Sequence, residues 1–170
     1  MNKYFLPLSL LAAVISTTIS AEAPNQSPPD PFTQAQPAIE ARVGVHRLMA
    51  ANLMDVGALA MGQKKWNGFR MNDRTDAIEA LSKMYFEFFM VAGSYAGSKA
   101  KASIQDNAED FKKMAMRLET ATVGLAHASR THNPAGSGKA VVSIINACNS
   151  CHEKYMEPAL LLPVPPPPSH

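Results

Sequence analysis

Cys148 and Cys151 are the only two cysteines of the chain, three positions apart, and His152 follows directly. Two thiols at this spacing can each add to one vinyl group of a porphyrin, forming two thioether bonds along one ring edge. The adjacent imidazole can then ligate the iron. C-x-x-C-H is accordingly the attachment signature of a c-type haem. On a helix, positions i, i+3 and i+4 share a face, so Cys148, Cys151 and His152 can all point at one macrocycle. Other chemistries also use paired cysteines. A thioredoxin-like pair belongs near a βαβ pattern, and no strand-like alternation precedes Cys148. A zinc site needs two further ligands, and there is no second Cys/His cluster. A structural disulfide fits an exported chain but does not require the histidine. The stretch predicts one covalently attached haem c, with His152 as axial iron ligand.

Four stretches with helical periodicity position this motif. The first is expected over 38–61, with Ile39, Val43, His46, Ala50, Leu53, Gly57 and Ala60 on one face. The second is expected over 73–95, capped by Asn72 or Asp73, with Ile78, Leu81, Tyr85, Phe88, Ala92 and Tyr95 as its buried stripe. The third is expected over 106–129, with Asp106 and Glu109 as a capping arrangement and Phe111, Met114, Leu118, Ala121, Leu125 and Ala128 inward. The fourth, over 139–157, carries the haem motif and turns Val141, Ile144, Ile145 and Tyr155 to the same side. Four such segments with short connections predict an all-α fold, an antiparallel four-helix bundle with haem c held by the C-terminal helix.

The ends of the chain read differently. Residues 1–21 have a short positive start at Lys3, an apolar run from Tyr4 to Ile15 and then small residues, the pattern of a cleavable export signal. The apolar run falls short of the roughly 18 residues of a membrane span. Export to the periplasm is therefore expected, with no membrane span in the mature chain. Residues 22–37 are rich in proline, glutamine and serine and read as a linker, and 158–170 read as an extended, disordered proline-rich tail. The bundle is expected over 38–157. Net charge is +2, with lysine and arginine scattered among acidic residues, so no basic stripe points to nucleic acid.

The other iron face needs a separate donor. The only methionine after His152 is Met156, one turn on along the same helix, which cannot reach the opposite side of the iron. A sixth ligand must come from an earlier helix. His46 leads, because it is the one polar, metal-binding residue on the first helix stripe, and Met49 one turn later is the reserve.

With Arg42, Leu48-Met49, the run from Val56 to Gln63, Ile104 and Phe111, and the terminal Cys148-Asn149-Ser150-Cys151-His152, residues 38–157 resemble the cytochrome c′ family. The resemblance implies a four-helix bundle with the haem motif on its last helix. It implies that Arg42 is the family's haem-side arginine, balancing a propionate or edging the distal pocket. It also implies that the residue four places on, here His46, faces the open side of the haem. In the family's high-spin, gas-binding branch that position is usually apolar. In a low-spin branch it is a ligating methionine. The family often forms homodimers through its first two helices, which the aromatic second helix permits. Three departures stand out: Met156 occupies the place of an arginine, Gln105 that of a tryptophan, and the connection between the second and third helices reads as short.

The function expected is an exported monohaem electron carrier, with His152 and His46 on the iron and unidentified redox proteins as partners. The alternative is a cytochrome that binds a diatomic gas such as NO or CO, with His46 as a pocket residue. Arg42 and His46 are also the residue types of a distal acid–base pair, but no further catalytic constellation accompanies them, and no enzyme is expected.

Overall fold

The computed structural model describes residues 28–166; the expected export signal and the start of the linker lie outside the described residues. Four long helices build the molecule: α1 (Ala35–Ala60), α2 (Gly68–Met84), α4 (Ala108–Arg130) and α5 (Pro134–Tyr155). A single turn, α3 (Ser103–Asp106), precedes α4. Neighbours pack in a closed ring, α1 on α2, α2 on α4, α4 on α5 and α5 on α1, which is the expected four-helix bundle.

The helices start where local chemistry satisfies their first N–H groups. Asn67 caps α2, its side chain accepting from the Arg70 N–H at 3.0 Å. This sets the start five residues before the expected Asn72, which instead accepts from Ser129 Oγ of α4 at 2.5 Å. Asn133 caps α5 by accepting from the Gly136 N–H, and Pro134 takes the first helical position, where its missing N–H costs nothing. That moves the start of α5 five residues ahead of the expected 139. The caps of α4 also differ from expectation: Asp106 belongs to α3, and Asn107 occupies the cap position. α1 begins inside the expected linker, at Ala35, after a turn in which Asp30 accepts from the Phe32 N–H and Thr33 Oγ1. Phe32 then stacks on Phe88 at 5.6 Å between ring centroids.

The second helix departs most from expectation. α2 ends at Met84, and residues 85–100 form a coiled segment containing a 3₁₀ turn, Glu87–Phe89. Gly93 and Gly97 sit at φ of 74° and 72°, a left-handed backbone conformation that glycine adopts without steric cost. The two reversals keep Tyr85, Phe88, Phe89, Val91, Ser94 and Tyr95 all buried. The link between α2 and the third long helix is therefore long, not short.

One apolar core runs through the bundle. Phe111 lies at its centre, 1% exposed, with its ring against Phe89 at 4.8 Å, Tyr155 at 5.3 Å and Phe86 at 6.1 Å. Ser82 and Thr122 are buried polar groups that satisfy each other across α2 and α4 at 2.9 Å.

Candidate functional site

Cys148 and Cys151 lie one turn apart near the end of α5, half-buried against the core, and they are not joined by a disulfide. Burial pushes the Cys148 thiol up to about 11 and the Cys151 thiol up to about 12, the latter with help from Cys148 and Asp110. A thiol–disulfide catalyst needs a lowered thiol pKa, so this pair is the opposite of a thioredoxin-like site. Below them, Asp110 of α4 accepts from Tyr155 Oη at 2.7 Å and from Lys154 Nζ at 2.9 Å, fixing the last turn of α5.

His152 is partly exposed on the same face, and its Nδ1 lies 2.7 Å from the carbonyl oxygen of Leu160. The tail after α5, expected to be extended and disordered, is in neither helix nor strand over its described residues 158–166 and is held to that helix at two points.

His46 of α1 faces His152 of the neighbouring α5, with ring centroids 6.0 Å apart and planes inclined by 34°. Tyr85 Oη lies 2.7 Å from both nitrogens of His46. His46 Nδ1 also lies 3.3 Å from the Arg42 carbonyl one turn back. Burial, reinforced by the nearby His152 charge, pushes the His46 imidazole down to about 4. It is therefore neutral at ordinary pH, the form in which an imidazole can offer a lone pair to a metal.

Arg42 is 3% exposed, at the centre of the buried face of α1. Its Nη1 donates to Ser94 Oγ at 3.1 Å, and its Nη2 donates to the Ser94 carbonyl and to Ser98 Oγ. The guanidinium also lies over the rings of Phe89 and Tyr95, at 5.0 and 5.7 Å. Burial lowers its pKa, yet an arginine stays charged in proteins. None of the ion pairs among the described residues reaches it. The buried residues of α1 are Ala38, Arg42, Val45, Met49, Asn52, Val56, Leu59 and Ala60; Ala60 is expected there, and the others lie one residue off the expected stripe. His46 consequently sits at the edge of that stripe, while Met49 lies on its centre and packs in the core.

These residues fit a haem. Two imidazoles that ligate one metal from opposite sides, each at about 2 Å as imidazole does at zinc, hold their ring centroids about 6 Å apart. That matches His46 and His152. A buried arginine lacking an acidic partner matches a propionate. No group of three or more His, Cys, Asp or Glu among the described residues could hold a bare ion, so an iron here needs a macrocycle for its remaining ligands. A groove of about 520 Å³ between α4 and α5, lined by Met114, Arg117, Ala121, Ala140 and Asn146, contains neither histidine.

The family model for Cytochrome C' matches residues 37–156. The chain belongs to the cytochrome c′ family. It is similar to cytochrome c-556 of Agrobacterium tumefaciens (strain B2A), 27% identical over 117 residues that span 69% of this chain and 94% of the relative. It is also similar to cytochrome c′ of Rubrivivax gelatinosus, 28% identical over 127 residues, 74% of this chain and 98% of the relative. Among solved structures, cytochrome c prime from Shewanella frigidimarina superposes with a TM-score of 0.68 at 29% identity, covering 74% of this chain and 98% of its own. Members of this family carry one covalently bound haem c per chain, and this cytochrome is a monohaem c-type cytochrome.

Several neighbours of the site have no sequence signature. Tyr85 reads as one more core aromatic until its hydroxyl is found against His46. Ser94 and Ser98 lie in a stretch that reads as helix end, and only the fold brings them to Arg42. Leu160 contributes a backbone carbonyl, which no side-chain pattern reveals.

Proposed function

We propose that this cytochrome is an exported, periplasmic electron carrier, attached to its haem through Cys148 and Cys151, with His152 and His46 on the two iron faces. Haem c supplies a one-electron iron couple; the protein supplies ligands, burial and charge. The observation that carries the reading is the 6.0 Å separation of the two imidazole centroids. An iron held by both imidazoles would be low-spin in both oxidation states and would rearrange little on electron transfer. Two histidines also forgo the methionine that raises the potential. The potential should lie below that of a Met/His cytochrome. Arg42 stands to neutralise a propionate inside the bundle. Its guanidinium stays charged in proteins and so cannot exchange a proton as half of an acid–base pair, which favours a carrier over an enzyme. Redox proteins are the expected partners.

One observation favours a second reading. Tyr85 Oη can bond either nitrogen of His46, and a histidine held by Tyr85 is a pocket residue. The protein would then bind a diatomic gas on that side. The test is the ferric visible and EPR spectrum of the purified protein beside His46→Ala. A low-spin wild type that becomes high-spin on substitution is expected. A wild type that is already high-spin overturns the ligation and moves the function to gas binding.

A further inference from the structure

The end of α5 leads into a short device that the haem motif does not require. Tyr155 and Glu157 are tied to the segment before α3, where Lys101 N donates to the Tyr155 carbonyl at 2.9 Å and Glu157 N to the Lys99 carbonyl at 2.8 Å. The chain then reverses and runs back along α5. Two residues of the motif helix receive it. Leu160 brings its carbonyl oxygen to 2.7 Å from His152 Nδ1. Leu162 pairs with Asn149 in both directions: its N–H donates to Asn149 Oδ1 at 2.7 Å, and its carbonyl accepts from Asn149 Nδ2 at 2.9 Å. The Leu162 side chain packs against the edge of the core. Pro158 and Pro163 bracket the segment. Their fixed φ restricts the chain before it docks, and their missing N–H groups keep it from extending into a ladder.

An imidazole that binds a metal through one nitrogen carries its proton on the other. The partner of that proton fixes the ring's rotation and tautomer and raises its basicity. The Leu160 carbonyl is such a partner, and Asn149, inside the attachment motif itself, fixes where that carbonyl lies. We propose that Pro158–Leu162 is a proximal strap: it positions His152 through the Nδ1–H···O=C bond to Leu160 and thereby lowers the potential of the iron. The proposal rests on His152 as axial ligand and is independent of what His46 does. Leu160 and Asn149 are positioning residues, acting only through His152.

The test compares three holoproteins: the full chain, a chain ending at Glu157, and full-length Asn149→Ala, which keeps the tail but removes its anchor. The readouts are the midpoint potential and the exchange rate of the hyperfine-shifted His152 Nδ1 proton in histidine-labelled ferric protein. In the full chain that proton should exchange slowly. Both altered proteins should exchange it faster, and their iron should favour the ferrous state by about tenfold, a factor set at the lower end of the effect that an outer-shell partner has on metal affinity or activity. For a one-electron couple that is a rise of about 59 mV. If the truncated chain does not take up haem, Asn149→Ala decides alone. Unchanged potential and exchange in the altered proteins overturn the strap. A full chain with no hyperfine-shifted His152 signal overturns the axial assignment itself, and the strap with it.

Discussion

Arg42→Met in the ferric holoprotein asks what neutralises the buried guanidinium. The side chain is 3% exposed, makes three hydrogen bonds to Ser94 and Ser98, and meets no carboxylate among the described residues. Two opposing effects set the outcome. Removing the guanidinium forfeits three hydrogen bonds to a charged donor, each worth about 1.5–3 kcal/mol. It also returns the cost of burying an ion, which is several kcal/mol even after relaxation. With no counter-charge these two effects oppose each other, and methionine, of similar length and apolar, should cost less than the loss of a buried ion pair. With a propionate bonded to Arg42 the balance changes, because the substitution strands a buried carboxylate, and breaking such a pair costs about 3–5 kcal/mol.

The assay is denaturant unfolding of wild type and variant with haem attached, so that the propionate is hydrated in the unfolded chain of both. The expected loss is about 3–5 kcal/mol, on the order of 10 °C in Tm for a chain of this size. Arg42→Lys separates charge from geometry. It keeps the cation but not the planar fork, and should recover part of the loss. A change under about 1 kcal/mol in Arg42→Met refutes the pairing with a propionate and leaves Arg42 as a structural bridge from α1 to the 85–100 segment.

Tyr85→Phe should leave the ferric spectrum low-spin if His46 is on the iron; a high-spin wild type that becomes low-spin in the variant would show that the phenol had been holding His46 away. Phe111→Ala removes the ring that joins Phe89 to Tyr155, and should cost about 3–5 kcal/mol in denaturant unfolding. Asp55, bonded by Arg70 at 2.5 Å and by Lys64 at 2.6 Å, has its carboxyl lowered to about 2, chiefly by the Arg70 hydrogen bond. A lowered carboxyl stabilises the fold above its unfolded pKa of about 4 and ceases to do so as pH falls through the folded value. The gap in Tm between wild type and Asp55→Asn should therefore be full at pH 7 and close between about pH 4 and pH 2; a gap independent of pH refutes it.

The parts of this molecule legible in its sequence are those where hydrophobic period and burial coincide. On α4, Phe111, Leu118, Leu125 and Ala128 are expected inward and are buried, because the buried polar residues of that helix, Thr122 and Ser129, lie beside these positions and do not replace them. On α1 the expected stripe is one residue off, and the reason is chemical. The true centre line passes through Arg42 and Asn52, which a search for apolar positions steps around. Both are buried because they bond: Asn52 Nδ2 donates to the Leu48 carbonyl, and Arg74 of α2 donates to Asn52 Oδ1 at 3.2 Å. The second helix misleads for another reason. Tyr85, Phe88, Ala92 and Tyr95 keep helical spacing, but the helix ends at Met84 and positive φ at Gly93 and Gly97 turns the chain; Ala92, expected inward, is exposed, while a different backbone buries the same aromatics.

The tail carries this furthest. A run such as Pro163-Val164-Pro165-Pro166 has low complexity and little to bury, so composition alone calls for disorder. Yet residues 158–166 lie along α5, and what holds them is two backbone positions, Leu160 and Leu162, opposite His152 and Asn149. Backbone donors and acceptors are the same for every residue except proline, so sequence pattern cannot see them. The side-chain half of the haem motif is therefore written plainly in the chain, while the half that orients its histidine is written in peptide groups and emerges only from the fold. The two histidines differ in the same way. His46 meets the hydroxyl of Tyr85, a side chain that substitution can remove. His152 meets a carbonyl that only a change in the path of the tail can take away.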